Sequence, residues 1–316
     1  MDLTILIVSW NVADLLALCV DSVFASQLNF GSSPQHPFTA EIIVVDSASA
    51  DHTVPMLRER YPQIKLLPQT ENVGFTRGNN IGLAQSQGRY ILLLNPDTEV
   101  IGTALTDMIA YMDANPSVGI VGPHTFNSDR VTTQSTRRRF PTLMVGMFES
   151  TWFQPYAPKS LLNYFYAADQ PDTGTFEVDW VQGSALMIRR EVYEQIGGMD
   201  EGFIMYSEEL DWCKRTKAAG WKVVYMGDAH IVHHGGKSTE QVKARSHIYF
   251  QQSKLRYFRK HHGMAQAQFL RAVLLLNYAI QIAIEGAKSL VGHKRELRRS
   301  RIQTYLQVIQ SGLKVT

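Results

Sequence analysis

Asp97 ends a buried-looking run in YILLLNPDTEV (90–100), where Ile91 to Leu94 lead straight into Asn95-Pro96-Asp97. A carboxylate held on rigid backbone at a strand end is a hard oxygen ligand. It suits Mg²⁺ or Mn²⁺ and the diphosphate such an ion binds. The same tripeptide is also ordinary turn chemistry. Asp46, in VVDSASAD (44–51), can accept a hydrogen bond from a base or a ribose, or can simply begin a turn with Ser47. In MYSEELDWC (205–213), Glu208, Glu209 and Asp211 crowd one helical turn. A helix N-terminus stabilises each such charge by about 0.3–1 kcal/mol. Their mutual repulsion also raises carboxylate pKa values, as a general base requires. In HIVHHGGKS (230–238), His233 or His234 offers an imidazole to a metal, and Gly235 and Gly236 allow backbone to approach a phosphate. Two adjacent histidines are equally at home on an exposed loop.

These residues need a scaffold, and the hydrophobic pattern supplies one. LTILIVSW (3–10) and EIIVVD (41–46) read as strands buried on both faces. IKLLPQ (64–69) and RYILLLNPD (89–97) continue the series. Helices are expected at 14–26, from an Asp51 cap to about Arg60, at 76–88 with Gly88 closing, and near 103–114. A fifth strand is expected near 118–122. Alternating β and α segments imply an α/β fold, a mostly parallel central sheet flanked by helices. Ligands of such sheets bind outside the carboxyl ends of the strands, so Asp46 and Asp97 should face one crevice.

Periodicity fails between 124 and 176, where Pro141, Pro155, Pro158 and Pro171 accompany many aromatics and TRRRF (136–140). A loop of that length reads as a lid or binding loop. Regular signals return as strand then helix over 184–198, a helix over 207–220 with Ser207 as cap and Gly220 as stop, a strand at 221–227 and a loop at 230–239. Everything beyond reads helical. The expected organisation is a domain over 1–240, with halves 1–123 and 124–240, followed by a C-terminal helical appendage over 241–316.

The bulk numbers are compatible with this. Apolar residues make up 45% of 316, enough for a substantial core. A net charge of +2 argues against a dedicated nucleic-acid binder. Cys19 and Cys213 have neither metal nor disulfide spacing and read as reduced thiols. The apolar run Leu3 to Val8 is too short for a signal segment, which points to a cytoplasmic location. No G-x-G-x-x-G follows it, which sets aside a dinucleotide-dependent dehydrogenase.

Taken in order, IVSWN, VVDSASAD, ENVGFTRGNNIG, LLLNPDT, RRFPT, GSALMIRREVYEQIGGMDEGF, YSEELDWCKRTKAAGW and HHGGKS resemble the family 2 glycosyltransferases of GT-A fold. Within them the chain looks most like the rhamnosyltransferase-type enzymes of bacterial cell-surface polysaccharide assembly. The resemblance covers about residues 3–240. It implies transfer of a sugar, rhamnose from dTDP-rhamnose, to a saccharide acceptor that is lipid-linked, usually with inversion. Another UDP- or dTDP-sugar such as galactofuranose, or a non-catalytic nucleotide-sugar-binding scaffold, are the competing readings. The resemblance further implies that Ser9 and Asn11 line the nucleotide pocket and that Asp46 takes the base. Asn72, Gly74, Gly78 and Asn80 would shape the ribose and sugar side. Asn95-Pro96-Asp97 stands where the family carries Asp-x-Asp, with Asn95 replacing the first carboxylate and Asp97 keeping the metal-touching position. His233 would complete the metal or diphosphate site. The base would lie in Glu208-Glu209, with Glu209 favoured and Asp211 next.

Two basic features remain. Arg137-Arg138-Arg139 is either a solvated run or a phosphate clamp for donor or lipid diphosphate. AVLLLNYAIQIAIEGA (272–287) is apolar but short for a membrane span, and Asn277, Gln281 and Glu285 form one polar stripe. With Lys288, His293, Lys294, Arg295, Arg298, Arg299 and Arg301 after it, the segment suits peripheral attachment to an anionic inner membrane face. A packed helix or a homodimer seam is the alternative.

Overall fold

The computed structural model describes residues 1–31, 36–235, 243–292 and 294–314. Gly236 and His293, both singled out above, lie outside the described residues. The strands are β1 (Leu3–Ser9), β2 (Ala40–Asp46), β3 (Lys65–Pro68), β4 (Tyr90–Leu94), β5 (Thr98–Val100), β6 (Val118–Phe126), β7 (Arg137–Arg138), β8 (Thr175–Val178), β9 (Trp180–Val181), β10 (Ala185–Arg189) and β11 (Lys222–His233). The helices are α1 (Ala13–Phe24), α2 (Thr53–Arg60), α3 (Gly74–Leu83), α4 (Ala104–Ala114), α5 (Leu143–Phe148), α6 (Lys159–Phe165), α7 (Arg190–Ile196), α8 (Glu208–Ala218), α9 (Lys243–His262), α10 (Met264–Leu290) and α11 (Arg295–Ser311). They group into two compact units: Met1–Phe140, Tyr166–Glu201 and Glu208–Ser238 form the first, and Pro141–Phe165, Gly202–Ser207 and Thr239–Thr316 the second.

The first unit is a nine-stranded sheet in the order β3-β2-β1-β4-β10-β6-β11-β5, with β8 also paired to β11. β3, β2, β1 and β4 are parallel; β1, β2 and β4 are apolar runs covered on both faces, while β3 is a partly exposed edge strand. β10 enters antiparallel between β4 and β6. Ser9 pairs with Asp46 and Ile7 with Leu94, so β1, β2 and β4 end along one edge of the sheet.

α3 lies tightly on β1. A Cβ on Gly78 would come within 2.7 Å of Val8, and one on Gly82 within 2.0 Å of Leu6. Four residues apart, the two glycines share one helix face. Gly78 therefore faces the sheet, which corrects its expected place on the sugar side of the crevice.

Other expectations shift as well. α3 ends at Leu83, not Gly88, whose own Cβ would fall 2.4 Å from the Thr4 nitrogen. Asp51 precedes the cap of α2 and bridges two helix starts, accepting from Thr53 N at 3.0 Å and Ala13 N at 3.1 Å. Ser207 has φ 62°, outside the extended geometry of a capping residue. The stretch 124–176 is structured: β6 extends to Phe126, β7 pairs with β9, and α5 and α6 lie in the second unit. The expected loop at 230–239 is, through His233, the far end of β11, which carries on past an irregularity between Met226 and His230.

The second unit packs α5 and α6 with α9, α10 and α11. α10 has its polar stripe turned inward. Asn277 accepts from Trp152 N at 2.9 Å, and Glu285 receives Arg298 at 2.7 and 3.0 Å. Buried polar groups need such partners, and these residues find theirs in the interior. Apolar side chains are left outside instead, with Phe269 51%, Leu276 57% and Leu290 84% exposed. The helix spans 27 residues and is long and apolar enough to cross a membrane by length and composition, which corrects the shorter estimate. Arg298 is buried and committed to Glu285, so it leaves the basic cluster.

Candidate functional site

The turn after β4 and the end of β11 are locked together. β5 pairs with β11 so that Thr98 faces His233, and His234 N donates to the Asp97 carbonyl at 2.8 Å. Thr98 Oγ1 donates to the Asn95 carbonyl at 2.7 Å, closing the turn that Pro96 stiffens. The result brings the Asp97 carboxylate to 3.3 Å from His233 Nε2, with both side chains nine-tenths buried. Asn95 Nδ2 lies 3.4 Å from the same nitrogen, and Asn95 Oδ1 is buried with no hydrogen-bond partner among the described residues.

Gln134, which carries no motif signal of its own, grips His233 twice. Its Nε2 donates to the His233 carbonyl at 3.0 Å, and its Oε1 lies 2.9 Å from His233 Nδ1. The carbonyl contact fixes which end of the amide is nitrogen, so Nδ1 carries a proton. Nε2 is thereby the ring nitrogen turned toward the Asp97 carboxylate. Two ligand bonds of about 2.1 Å meeting near a right angle span about 3.0 Å, so a single divalent ion fits the pair. Among the described residues no third His, Cys, Asp or Glu joins them. An ion held there would need further ligands from a diphosphate and water, the usual habit of Mg²⁺.

One short segment connects this pair to the acidic turn of α8. Asn95 N donates to the Ser184 carbonyl at 2.9 Å. One residue earlier, the Gly183 N–H donates to Glu209, and a Cβ at Gly183 would lie 3.4 Å from the Glu209 side chain. Residues 183–184 thus hold the Asp97 turn on one side and Glu209 on the other. Ser184 Oγ, Gln182 Oε1, Glu208 Oε2 and Glu209 Oε2 are all buried without hydrogen-bond partners among the described residues. Such atoms are costly to bury and mark where a ligand or water completes the bonding.

The two glutamates are pushed apart in character. Burial raises the Glu208 carboxyl well above its ordinary value, and Glu209 beside it raises it further. Burial also raises Glu209, but the Arg138 guanidinium and the Gly183 and Leu210 N–H groups oppose the rise. Both carboxyls are thus raised, and it is Glu209 that has the neighbouring positive charge and N–H groups that favour ionisation. A carboxyl raised above 4.5 in the folded chain stabilises it most below that pH, and this stability drains as pH rises toward the folded value. Glu208→Gln should remove that drain, flattening the stability profile by up to about 1.4 kcal/mol per pH unit. Denaturant titrations of both proteins from acid to mildly alkaline pH measure it. Parallel profiles would mean that Glu208 is ionised in the folded state.

Asp211 is fully buried and bonded to Arg215 at 2.8 Å, while Arg215 also reaches the Ile196 and Gly198 carbonyls. It braces α8 against the turn after α7, which corrects its candidacy as a base. Asn80 likewise spends its amide on Met199 and Glu201. Arg137 is buried against Asp172, the Gln170 carbonyl and the Tyr225 ring. Arg138 stacks between Tyr166 and Trp180. Neither guanidinium is free to clamp a phosphate, and the clamp reading is corrected for both. Arg139 pairs with Asp169 at 2.6 Å.

Ser9 and Asp46 are register partners in parallel strands and so point to the same face. Both are buried, and Ser9 Oγ and Asp46 Oδ1 have no hydrogen-bond partner among the described residues. Asn11 ties the end of β1 to the next loop by accepting from Ala50 N at 2.7 Å. Asn72 accepts from Ser47 Oγ at 3.1 Å and from Gly74 N at 2.9 Å, and Gly74 takes φ 74° to open α3. Asp46, Ser47, Asn72 and Gly74 form one connected rim. Cys19 and Cys213 are free, and burial pushes both thiols up to about 12, which leaves them inert.

Known proteins resemble the chain in sequence and in fold. An N-acetylglucosaminyl-diphospho-decaprenol L-rhamnosyltransferase of Mycobacterium tuberculosis is 28% identical over 218 residues, 66% of this chain and 70% of that protein. The rhamnosyltransferase WbbL of Escherichia coli K12 is 22% identical, over 63% of this chain and 75% of its own. Among solved structures, the mannosyltransferase PcManGT of Pyrobaculum calidifontis, in complex with GDP-Man and Mn²⁺, matches 99% of this chain and 86% of its own, at TM-score 0.56 and 16% identity. GalNAc-T7 with UDP, GalNAc and Mn²⁺ matches 82% of this chain and 48% of its own, at TM-score 0.58 and 15% identity. At those identities the structures establish the GT-A fold. The family model for Glycosyl transferase family 2 matches residues 4–197, from β1 through α7. With residues 4–197 matched by that model, the chain belongs to glycosyltransferase family 2, and its relatives make it rhamnosyltransferase-like.

Proposed function

We propose that this glycosyltransferase moves rhamnose from dTDP-rhamnose onto a lipid-linked saccharide, with inversion, in cell-surface polysaccharide assembly. The observation that carries the reading is the Asp97–His233 pair, 3.3 Å apart and joined through residues 183–184 to Glu209. The M. tuberculosis relative, named for rhamnosyl transfer to a decaprenol-linked diphospho sugar, supports the donor and the acceptor class.

In this reading Asp97 and His233 hold Mg²⁺ or Mn²⁺ with Asn95 beside them. Such an ion offsets the negative charge that grows on the departing diphosphate oxygen. Asp46 and Ser9 receive the base, and the rim of Asn72 and Gly74 adjoins the ribose. Glu209 takes the proton of the acceptor hydroxyl as it attacks. Burial raises the Glu209 carboxyl toward the range of a general base, and Arg138 and the Gly183 N–H oppose that rise.

A donor panel tests the reading. With divalent metal present, dTDP-rhamnose at one hundred times its Kd should stabilise the protein by about 2.7 kcal/mol and be slowly hydrolysed. Preference for UDP-galactofuranose would reassign the donor, and no nucleotide sugar bound or turned over would make the chain a scaffold.

Peripheral attachment to the inner membrane face is the second half of the proposal. The exposed Phe269, Leu276, Leu290 and Val291 with Lys288, Lys294 and Arg295 support it. Neutralising those three basic residues should weaken binding to anionic vesicles by roughly 3 kcal/mol, or about 100-fold. Cosedimentation that ignores both lipid charge and these substitutions would refute it.

A further inference from the structure

We propose that Gln134 is a positioning residue for the metal–diphosphate site, holding the His233 ring so that Nε2 alone is presented to Asp97. The inference rests on the metal reading above and adds a residue to it. Gln134 stands at the start of the stretch leading to β7, outside both the Asp97 turn and the end of β11. Its amide nevertheless meets His233 at two points, the backbone carbonyl at 3.0 Å and Nδ1 at 2.9 Å.

The grip is directional. Gln134 Nε2 has a second acceptor in Asn127 Oδ1 at 3.0 Å. Asn127 is itself oriented, because its Nδ2 donates to Thr132 Oγ1 at 2.8 Å and its backbone N to the Thr132 carbonyl at 2.8 Å. Gln134 N in turn donates to the Thr125 carbonyl at 2.9 Å, at the end of β6. The amide cannot flip without breaking two bonds to unambiguous acceptors, so Oε1 faces Nδ1 and the proton stays there. A ring held at both Nδ1 and its own carbonyl cannot turn Nε2 away from Asp97. Partners of this kind, one bond behind a ligand, fix a histidine's orientation, and their loss costs about 10–100-fold in metal affinity.

Three variants test the proposal without relying on turnover. Gln134→Met keeps the volume and removes both bonds. Gln134→Glu keeps an acceptor for Nδ1–H. Asn127→Ala loosens the amide and spares Gln134. The readouts are Mn²⁺ affinity in the presence of dTDP, by electron paramagnetic resonance, and the His233 Nδ1–H resonance in ¹⁵N-histidine-labelled metal-free protein. The wild type should show a slowly exchanging Nδ1–H. Gln134→Met should lose that resonance and bind Mn²⁺ about 10–100-fold more weakly. Gln134→Glu should keep the resonance and most of the affinity, a rescue that a purely structural role would not produce. Should Gln134→Met fail to fold, Asn127→Ala must show faster Nδ1–H exchange and weaker Mn²⁺ binding. Wild-type affinity in the folded Met variant, or in Asn127→Ala if it stands alone, overturns the role of Gln134 alone. A wild type that binds no Mn²⁺ while still binding dTDP refutes the metal reading, and this inference with it.

Discussion

Glu209→Gln is expected to lower kcat by about 10²–10⁴-fold, the usual loss when a general base is removed. Donor binding should be nearly unchanged, because the substitution removes a proton acceptor and leaves the Ser9–Asp46 face intact. The environment of the residue sharpens this. Burial raises both glutamates, but only Glu209 has Arg138 and the Gly183 N–H favouring its ionised form. Glu208→Gln should therefore be milder in turnover, since the amide keeps the size of a side chain whose charge burial disfavours. The pair of variants, measured for kcat and for nucleotide affinity, assigns the base. Equal losses in both would dissolve the distinction, and full activity in Glu209→Gln would remove that residue from the role.

Asp97→Asn should be the next most damaging change, lowering transfer by roughly 10²–10³-fold, comparable to deleting one stabiliser of a developing oxyanion. The substitution is isosteric and leaves the backbone bond from His234 N to the Asp97 carbonyl in place. The fold should thus survive while Mn²⁺ affinity falls. Calorimetry with Mn²⁺ and dTDP, run beside circular dichroism, separates the two. Unchanged metal affinity in a folded Asp97→Asn protein would locate the ion elsewhere.

How far the sequence reaches can be judged residue by residue. The parallel half was legible because β1, β2 and β4 are covered on both faces and so consist of unbroken apolar runs. Asp46 and Asp97 followed from that, since strand ends in such a sheet share an edge. The end of β11 was not legible. Met226 to His230 breaks the register with β6, and a glycine there imitates a loop, which hid the strand that carries His233. Gln134 had no signal, because its function lies in one amide reaching a residue 99 positions away. Gly78, Asn80, Asp211, Arg137 and Arg138 misled for a common reason. Glycine, amide, carboxylate and guanidinium groups all serve packing and buried bonding as readily as ligands, and only coordinates tell which. α10 misled differently. Its polar stripe was evident, but nothing in the sequence shows that Asn277 and Glu285 have internal partners while the apolar side is bare.

Anomalous diffraction at the manganese edge, from crystals grown with Mn²⁺ and dTDP, tests the central assignment most directly. The account predicts one strong peak bonded to Asp97 and His233, with the diphosphate on it and Glu209 on the open side of the same cleft. A manganese peak that shares no bond with either residue, or a diphosphate bound away from both, would contradict it.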